Sequence, residues 1–143
     1  PMEQTEQMAL LRRLRFFHDF SQAEIGEVLK ASAWQDYGPN EEIVREGDMD
    51  DRFYVVIAGD CNVLRNGRTI GQLGTGDCFG EASYVPGARR SASVRTGGNV
   101  TLLKVGATLL EQASAACQLR FNRMFLRSLI ERLQKNEKAA AGT

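Results

Sequence analysis

Histidine is almost missing from this sequence: His18 is the only one in 143 residues. A metal-binding β-sandwich needs several His ligands, and nucleophile–base catalysis usually needs one beside its nucleophile. Neither a metal site nor an enzyme is therefore expected, and His18, next to Asp19, reads as a local cap or pair. Cysteine is scarce too. Cys61, Cys78 and Cys117 form no C-x-x-C pair, so a zinc or iron–sulfur site lacks its ligands. Three reduced, buried thiols suit a reducing compartment, and a cytoplasmic location is expected. Charge of one sign is not in excess: 18 Lys plus Arg stand against 18 Asp plus Glu. Nucleic-acid binders usually carry a basic surplus, so this chain alone is expected to bind no nucleic acid. No apolar run approaches the roughly 18 residues of a membrane span, and no signal-peptide pattern is expected at the start. Pro1-Met2 fits a piece cut from a longer chain.

What is present reads as a soluble globular domain, 43% hydrophobic and 25% charged. One domain over residues 1–143 is expected: helices in 1–33, a β-barrel in 34–106 and helices in 107–138. Met8 to Phe17 shows apolar residues at helical spacing. Ser21 with Glu24 makes a capping box for a helix over Gln22 to Ser32 that buries Ile25, Val28 and Leu29. From Trp34 the pattern changes to short apolar runs cut by glycine turns, with Asn66-Gly67 marking a tight hairpin. Many short strands at regular spacing predict a mainly β fold with flanking helices, a β-roll or jelly-roll barrel. After residue 106 the helical pattern returns. Leu119, Leu126, Leu129, Ile130 and Leu133 form an apolar stripe expected to pack on the barrel. Beyond that, Phe121 and Phe125 are expected to exceed what the barrel covers, leaving a homodimer face.

The chemistry is concentrated between Phe79 and Val94. Gly80 permits close backbone approach. Glu81 opens a segment long enough for one helical turn, whose start would aim N–H groups outward. Arg89-Arg90 follows, then the small Ser91 and Ala92. A guanidinium suits a phosphate, because parallel N–H groups match two oxygens. A carboxylate nearby would repel a phosphate and makes sense only as the acceptor for a neutral donor such as a sugar hydroxyl. Phosphate beside a free ribose hydroxyl describes a nucleotide.

Phe79-Gly80-Glu81-Ala82-Ser83, followed by Arg90-Ser91-Ala92-Ser93-Val94, resembles the phosphate-binding cassette of the cyclic-nucleotide-binding domain family. That family includes catabolite activators, kinase regulatory subunits and gated channels. A second block, Glu42-Ile43-Val44-Arg45-Glu46-Gly47-Asp48 with Asp51, Phe53-Tyr54-Val55-Val56 and Gly59, resembles the family stretch upstream of the cassette. The turn Gly74-x-Gly76-Asp77 agrees as well. Ala82 stands where Leu is commoner, Ser83 where Ala or Gly is, and Arg89 where Pro often is.

The resemblance implies a ligand and roles. The ligand is cAMP, with cGMP the less favoured choice, and no cofactor is expected. Arg90 would hold an exocyclic phosphate oxygen and Glu81 the ribose 2′-hydroxyl. Backbone N–H groups of Ala82, Ser83, Ser91 and Ala92 would complete the phosphate cradle. Val63, with Ile70 and Leu73, would line the wall beside the base. The last helix would act as a lid, with Asn136 at the purine's exocyclic group and Arg132 or Lys135 over the ring. Ser91 bears on ligand choice, since a hydroxyl there can favour the guanine amino group. A fused or separate output domain is expected to read the lid. The alternatives are a nucleotide-free interaction or dimerisation module, and the sensor half of a transcription regulator.

Overall fold

The structure, a computed structural model, describes residues 2–141, with side chains through Lys135. Two helices open it, α1 (Gln4–Arg12) and α2 (Gln22–Lys30), with one 3-10 turn at Arg15–Phe17 between them. Ser21 caps α2 as the sequence suggests. Its Oγ accepts from the Glu24 N–H at 3.1 Å, and the Glu24 carboxylate accepts from the Ser21 N–H at 2.7 Å. The Ser21 N–H, with help from Arg120, holds the Glu24 carboxyl below its usual range against the opposing pull of burial. The helix stops two residues short of the expected Ser32, because Ser32 is already paired to Val105 in a sheet.

Eight strands follow: β1 (Ser32–Tyr37), β2 (Glu42–Val44), β3 (Arg52–Ala58), β4 (Cys61–Arg65), β5 (Arg68–Leu73), β6 (Cys78–Phe79), β7 (Ser93–Thr96) and β8 (Val100–Gly106). They form two antiparallel four-stranded sheets, ordered β1-β8-β3-β6 and β2-β7-β4-β5. The jelly-roll expectation therefore holds, its strands divided between two antiparallel sheets. Asn66 and Gly67 both take positive φ, 53° and 76°, as the two central residues of the tight hairpin joining β4 to β5.

Burial explains this layering. Val44, Tyr54, Val56, Cys61, Leu73, Phe79, Val94 and Leu102 meet between the sheets. A second cluster joins Phe53, Val55, Leu103 and Val105 to the helices, through Leu11, Phe17 and Ile25. β3 alternates between the two, so its side chains fasten both layers.

Two helices close the chain, α3 (Ala107–Leu110) and α4 (Ala115–Ala141). Here the sequence reading is corrected. Phe121 and Phe125 are fully buried, their rings 5.4 Å from Phe16 and 5.2 Å from Phe53. Leu119, Leu126, Ile130 and Leu133 face solvent instead, and only Leu129 of the expected stripe packs on the core. Cys117, Phe121, Met124 and Phe125 recur at helical spacing and carry more aromatic area, so they win the core. Leu126 follows Phe125 by one residue, about 100° around the helix, and is turned out.

Candidate functional site

The loop after β6 is shaped by one glycine. Gly80 has φ of 108°, and a Cβ there would sit 2.5 Å from the Arg52 carbonyl oxygen and 3.1 Å from Phe53 Cα. Only glycine lets the chain pass this close to β3. The 3-10 turn Glu81–Tyr84 follows, the single turn expected to open at Glu81. Its Ser83 hydroxyl donates to the Arg52 carbonyl at 3.0 Å, and the Tyr84 hydroxyl donates to Asn122 of α4 at 2.7 Å.

Arg90 is brought beneath this turn. Its backbone N–H donates to Asp48 O and its carbonyl accepts from Gly47 N–H, both at 2.8 Å. Its side chain is only 4% exposed. Nη2 donates to the Arg52 carbonyl at 2.7 Å and lies 3.3 Å from Asp50 Oδ2. The same Asp50 oxygen accepts from the Tyr54 hydroxyl at 2.6 Å. The Tyr54 ring stacks on Phe79 at 4.7 Å, with the guanidinium 5.9 Å from its centroid. Burial alone would raise the Asp50 carboxyl. The Tyr54 hydroxyl, Arg90 and the Arg52 backbone outweigh burial and hold it below the usual range. Burial, then Asp50, pushes the Tyr54 hydroxyl well above its ordinary value, so it stays a donor. Arg90 Nε and Nη1 are buried without any partner. Buried N–H donors left without acceptors are costly, and on a guanidinium they mark a place for further acceptor oxygens.

Two cavities border that guanidinium. The larger, about 710 Å³, is lined by Glu42, Asp48, Asp50 and Asp51 besides Arg45, Arg52 and Arg90. Four carboxylates make it a poor phosphate site. The smaller, about 480 Å³, lies against β4, β5 and β7 and under α4. It gathers Val63, Ile70, Leu73, Phe79, Gly80, Glu81, Ala82, Arg90, Ser91 and Ala92, nearly the whole expected set. Its lining combines apolar Val63, Ile70, Leu73 and Phe79 with the polar Glu81 and Arg90, a mixture suited to a ligand with an apolar and a charged part.

Three expected residues fare differently. Ser83 is absent from this cavity and lines the larger one, and its N–H is already given to the Gly80 carbonyl at 3.0 Å. In this structure the 3-10 turn engages that donor, so a cradle using it would require the turn to open. The N–H groups of Ala82, Ser91 and Ala92 take no backbone partner. Glu81 is exposed and its carboxylate accepts from the Gly80 N–H at 3.0 Å, which fixes it at the cavity mouth. The side chain of Asn136 lies outside the described residues. Lys135 is exposed and does not line the cavity, whereas Arg132 does, its Nη1 donating to the Cys78 carbonyl at 2.9 Å.

Asp50, Tyr54, Arg65 and Gln72 were not singled out as site residues. Arg65 donates to the Ser91 carbonyl at 3.1 Å, and Gln72 lines the smaller cavity. The upstream acidic block carried the signal for Asp50, but sequence spacing does not tell which of Asp48, Asp50 and Asp51 turns inward. The expectation of buried thiols holds, with Cys61, Cys78 and Cys117 all buried and each pushed up to about 11, foremost by desolvation.

The family model described as Cyclic nucleotide-binding domain matches residues 34–116. The chain belongs to this family. It is 27% identical over 132 residues to a cGMP-dependent protein kinase of Toxoplasma gondii, covering 92% of this chain and 13% of that kinase. It is 30% identical over 97 residues to a cAMP-dependent protein kinase regulatory subunit of Mucor circinelloides f. lusitanicus, covering 65% of this chain and 22% of the subunit. The chain thus spans less than a quarter of either curated relative. A crystal structure of a cyclic nucleotide-binding domain from Methylobacillus flagellatus KT shares the fold, with TM-score 0.81 and 22% identity over 97% of this chain and 83% of that one. Among the described residues, no helix is long and apolar enough to cross a membrane.

Proposed function

We propose that this chain is a non-enzymatic regulatory domain that binds cAMP, in preference to cGMP, in the 480 Å³ cavity and passes binding on through α4. The observation that carries the reading is Arg90, almost wholly buried, bordering the cavity and left with two unpartnered nitrogens. A cyclic phosphate supplies the missing acceptors. Glu81 takes the ribose 2′-hydroxyl at the mouth, the free N–H groups of Ala82, Ser91 and Ala92 complete the cradle, and Val63 and Leu73 flank the base.

Transmission runs through aromatic contacts. The Tyr84 ring of the cassette lies 4.7 Å from Phe53 and 5.5 Å from Phe125, and its hydroxyl is bonded to Asn122. A ligand that draws the cassette inward therefore pulls on α4, while Arg132 closes the cavity from above. Only a difference in affinity between open and closed forms moves that equilibrium, by roughly 1–3 kcal/mol in typical cases. A fused or separate output domain, or a partner, reads the shift. Three reduced buried thiols support a cytoplasmic setting.

The test is competition of cAMP and cGMP against a fluorescent cyclic nucleotide, with the Ser91→Ala variant beside the native chain. Displacement by both, with cAMP the stronger and Ser91→Ala weakening mainly cGMP, supports the reading. Failure of cAMP to bind at millimolar concentration, or displacement by cGMP alone, refutes it.

A further inference from the structure

The outer face of α4 carries a second recognition surface. Leu119, Leu126, Ile130 and Leu133 are 55%, 58%, 45% and 59% exposed, unusual for large aliphatic side chains on one helix. Leu119, Leu126 and Leu133 repeat every seventh residue with Ile130 between, the spacing by which one helix seats another. This stripe is not needed for the core, which the opposite face already fills with Cys117, Phe121, Met124 and Phe125.

Charge on the two edges of the stripe is one-sided. Arg120, Arg123 and Arg127 run along one edge and border a groove of about 400 Å³ with Ala116, Leu119, Met124 and Asp19. Arg120 is held by Glu24 at 3.4 Å. Among the described residues, Arg123 and Arg127 have no carboxylate within ion-pair distance. The other edge offers Asn122, tied to Tyr84, and Leu129. Glu131 is engaged by Arg15 at 2.8 Å.

We infer that this face docks an amphipathic helix of another protein, apolar along its contact stripe and lined with Asp or Glu on the edge that meets Arg123 and Arg127. A second copy suits the face less well. Parallel pairing on the leucine seam sets Arg123 against its own twin and, among the described residues, brings no unengaged carboxylate to either arginine row. A flat anionic membrane calls for cations on both edges, and only one has them. The assignment goes beyond the nucleotide reading and stands independently of it.

The probe is a synthetic helical peptide with leucine at its a and d positions and glutamate on both flanks, alongside its lysine counterpart. Glutamates keep the first peptide from pairing with itself. By fluorescence anisotropy the acidic peptide binds saturably, more weakly as salt rises, and at least about tenfold tighter than the lysine peptide. In the R123E/R127E double variant that preference reverses. Both positions are exposed, so circular dichroism and nucleotide titration stay unchanged and certify the fold. Equal binding of the two peptides, or none, overturns the inference. So does a dimer in sedimentation that Leu126→Glu dissolves, which gives the face to a second copy. Arginine-dependent binding to phosphatidylserine vesicles without binding to the acidic peptide overturns it in favour of a membrane.

Discussion

Asp50 Oδ2 sits 3.3 Å from Arg90 Nη2 and accepts the Tyr54 hydroxyl at 2.6 Å, so a single carboxylate oxygen ties the guanidinium to the inter-sheet core. It occupies Nη2 and leaves Nε and Nη1 free. Asp50 thus orients Arg90 without competing for the nitrogens that a phosphate would use. Asp50→Asn is expected to weaken cyclic-nucleotide binding by about 1–2 kcal/mol, and Tyr54→Phe by about 1 kcal/mol. Calorimetric titration of both variants checks this; tighter binding in Asp50→Asn would show Asp50 to be a competitor instead.

Glu81 can be tested through its presumed partner. The native chain is expected to bind 2′-deoxy-cAMP about ten- to a hundredfold more weakly than cAMP, a cost of roughly 1.5–3 kcal/mol for a hydrogen bond to a charged group. In Glu81→Ala the two ligands should bind alike. A discrimination that survives the substitution would assign the hydroxyl to another residue.

Gly80 makes a structural prediction. Its φ of 108° and the 2.5 Å approach of the Arg52 carbonyl leave no room for a methyl group. Gly80→Ala is expected to cost about 2–3 kcal/mol in stability and to displace the cassette turn. Denaturant unfolding measures the first and nucleotide affinity the second. Gly67→Ala shares a positive φ but meets no neighbour, and should cost less, about 1 kcal/mol.

The thiols predict a chemical silence. With Cys61, Cys78 and Cys117 pushed up to about 11, the thiolate fraction near pH 8 is on the order of a thousandth. Ellman's reagent should label none of the three quickly in the folded chain and all three in denaturant. Rapid labelling of Cys78 in the native chain would mean that α4 lifts readily from β6.

The fold was legible in the sequence because its signals are local. The Ser21–Glu24 box, the Asn66-Gly67 turn and the short apolar runs between glycine turns each fix nearby backbone, and the structure bears them out. The cassette was legible because its residues are nearly contiguous, and the cavity gathers them. What failed depends on rotation and on distance in space. The exposed leucines of α4 and its buried aromatics are interleaved at the same helical period, so the pattern alone does not say which face turns inward. Asp50 was missed because three nearby aspartates compete for one inward direction, decided only by how β3 places Tyr54. That the Ser83 N–H is engaged by the Gly80 carbonyl was not legible either, because a 3-10 turn and a longer helix share the same sequence pattern.

The most direct measurement is isothermal titration of the chain with cAMP, beside Arg90→Ala and Arg90→Lys. Saturable binding that falls by about 2–4 kcal/mol in Arg90→Ala, with Arg90→Lys recovering only part, is the predicted result. Unchanged affinity in folded Arg90→Ala would contradict the phosphate assignment and with it the account of the cavity.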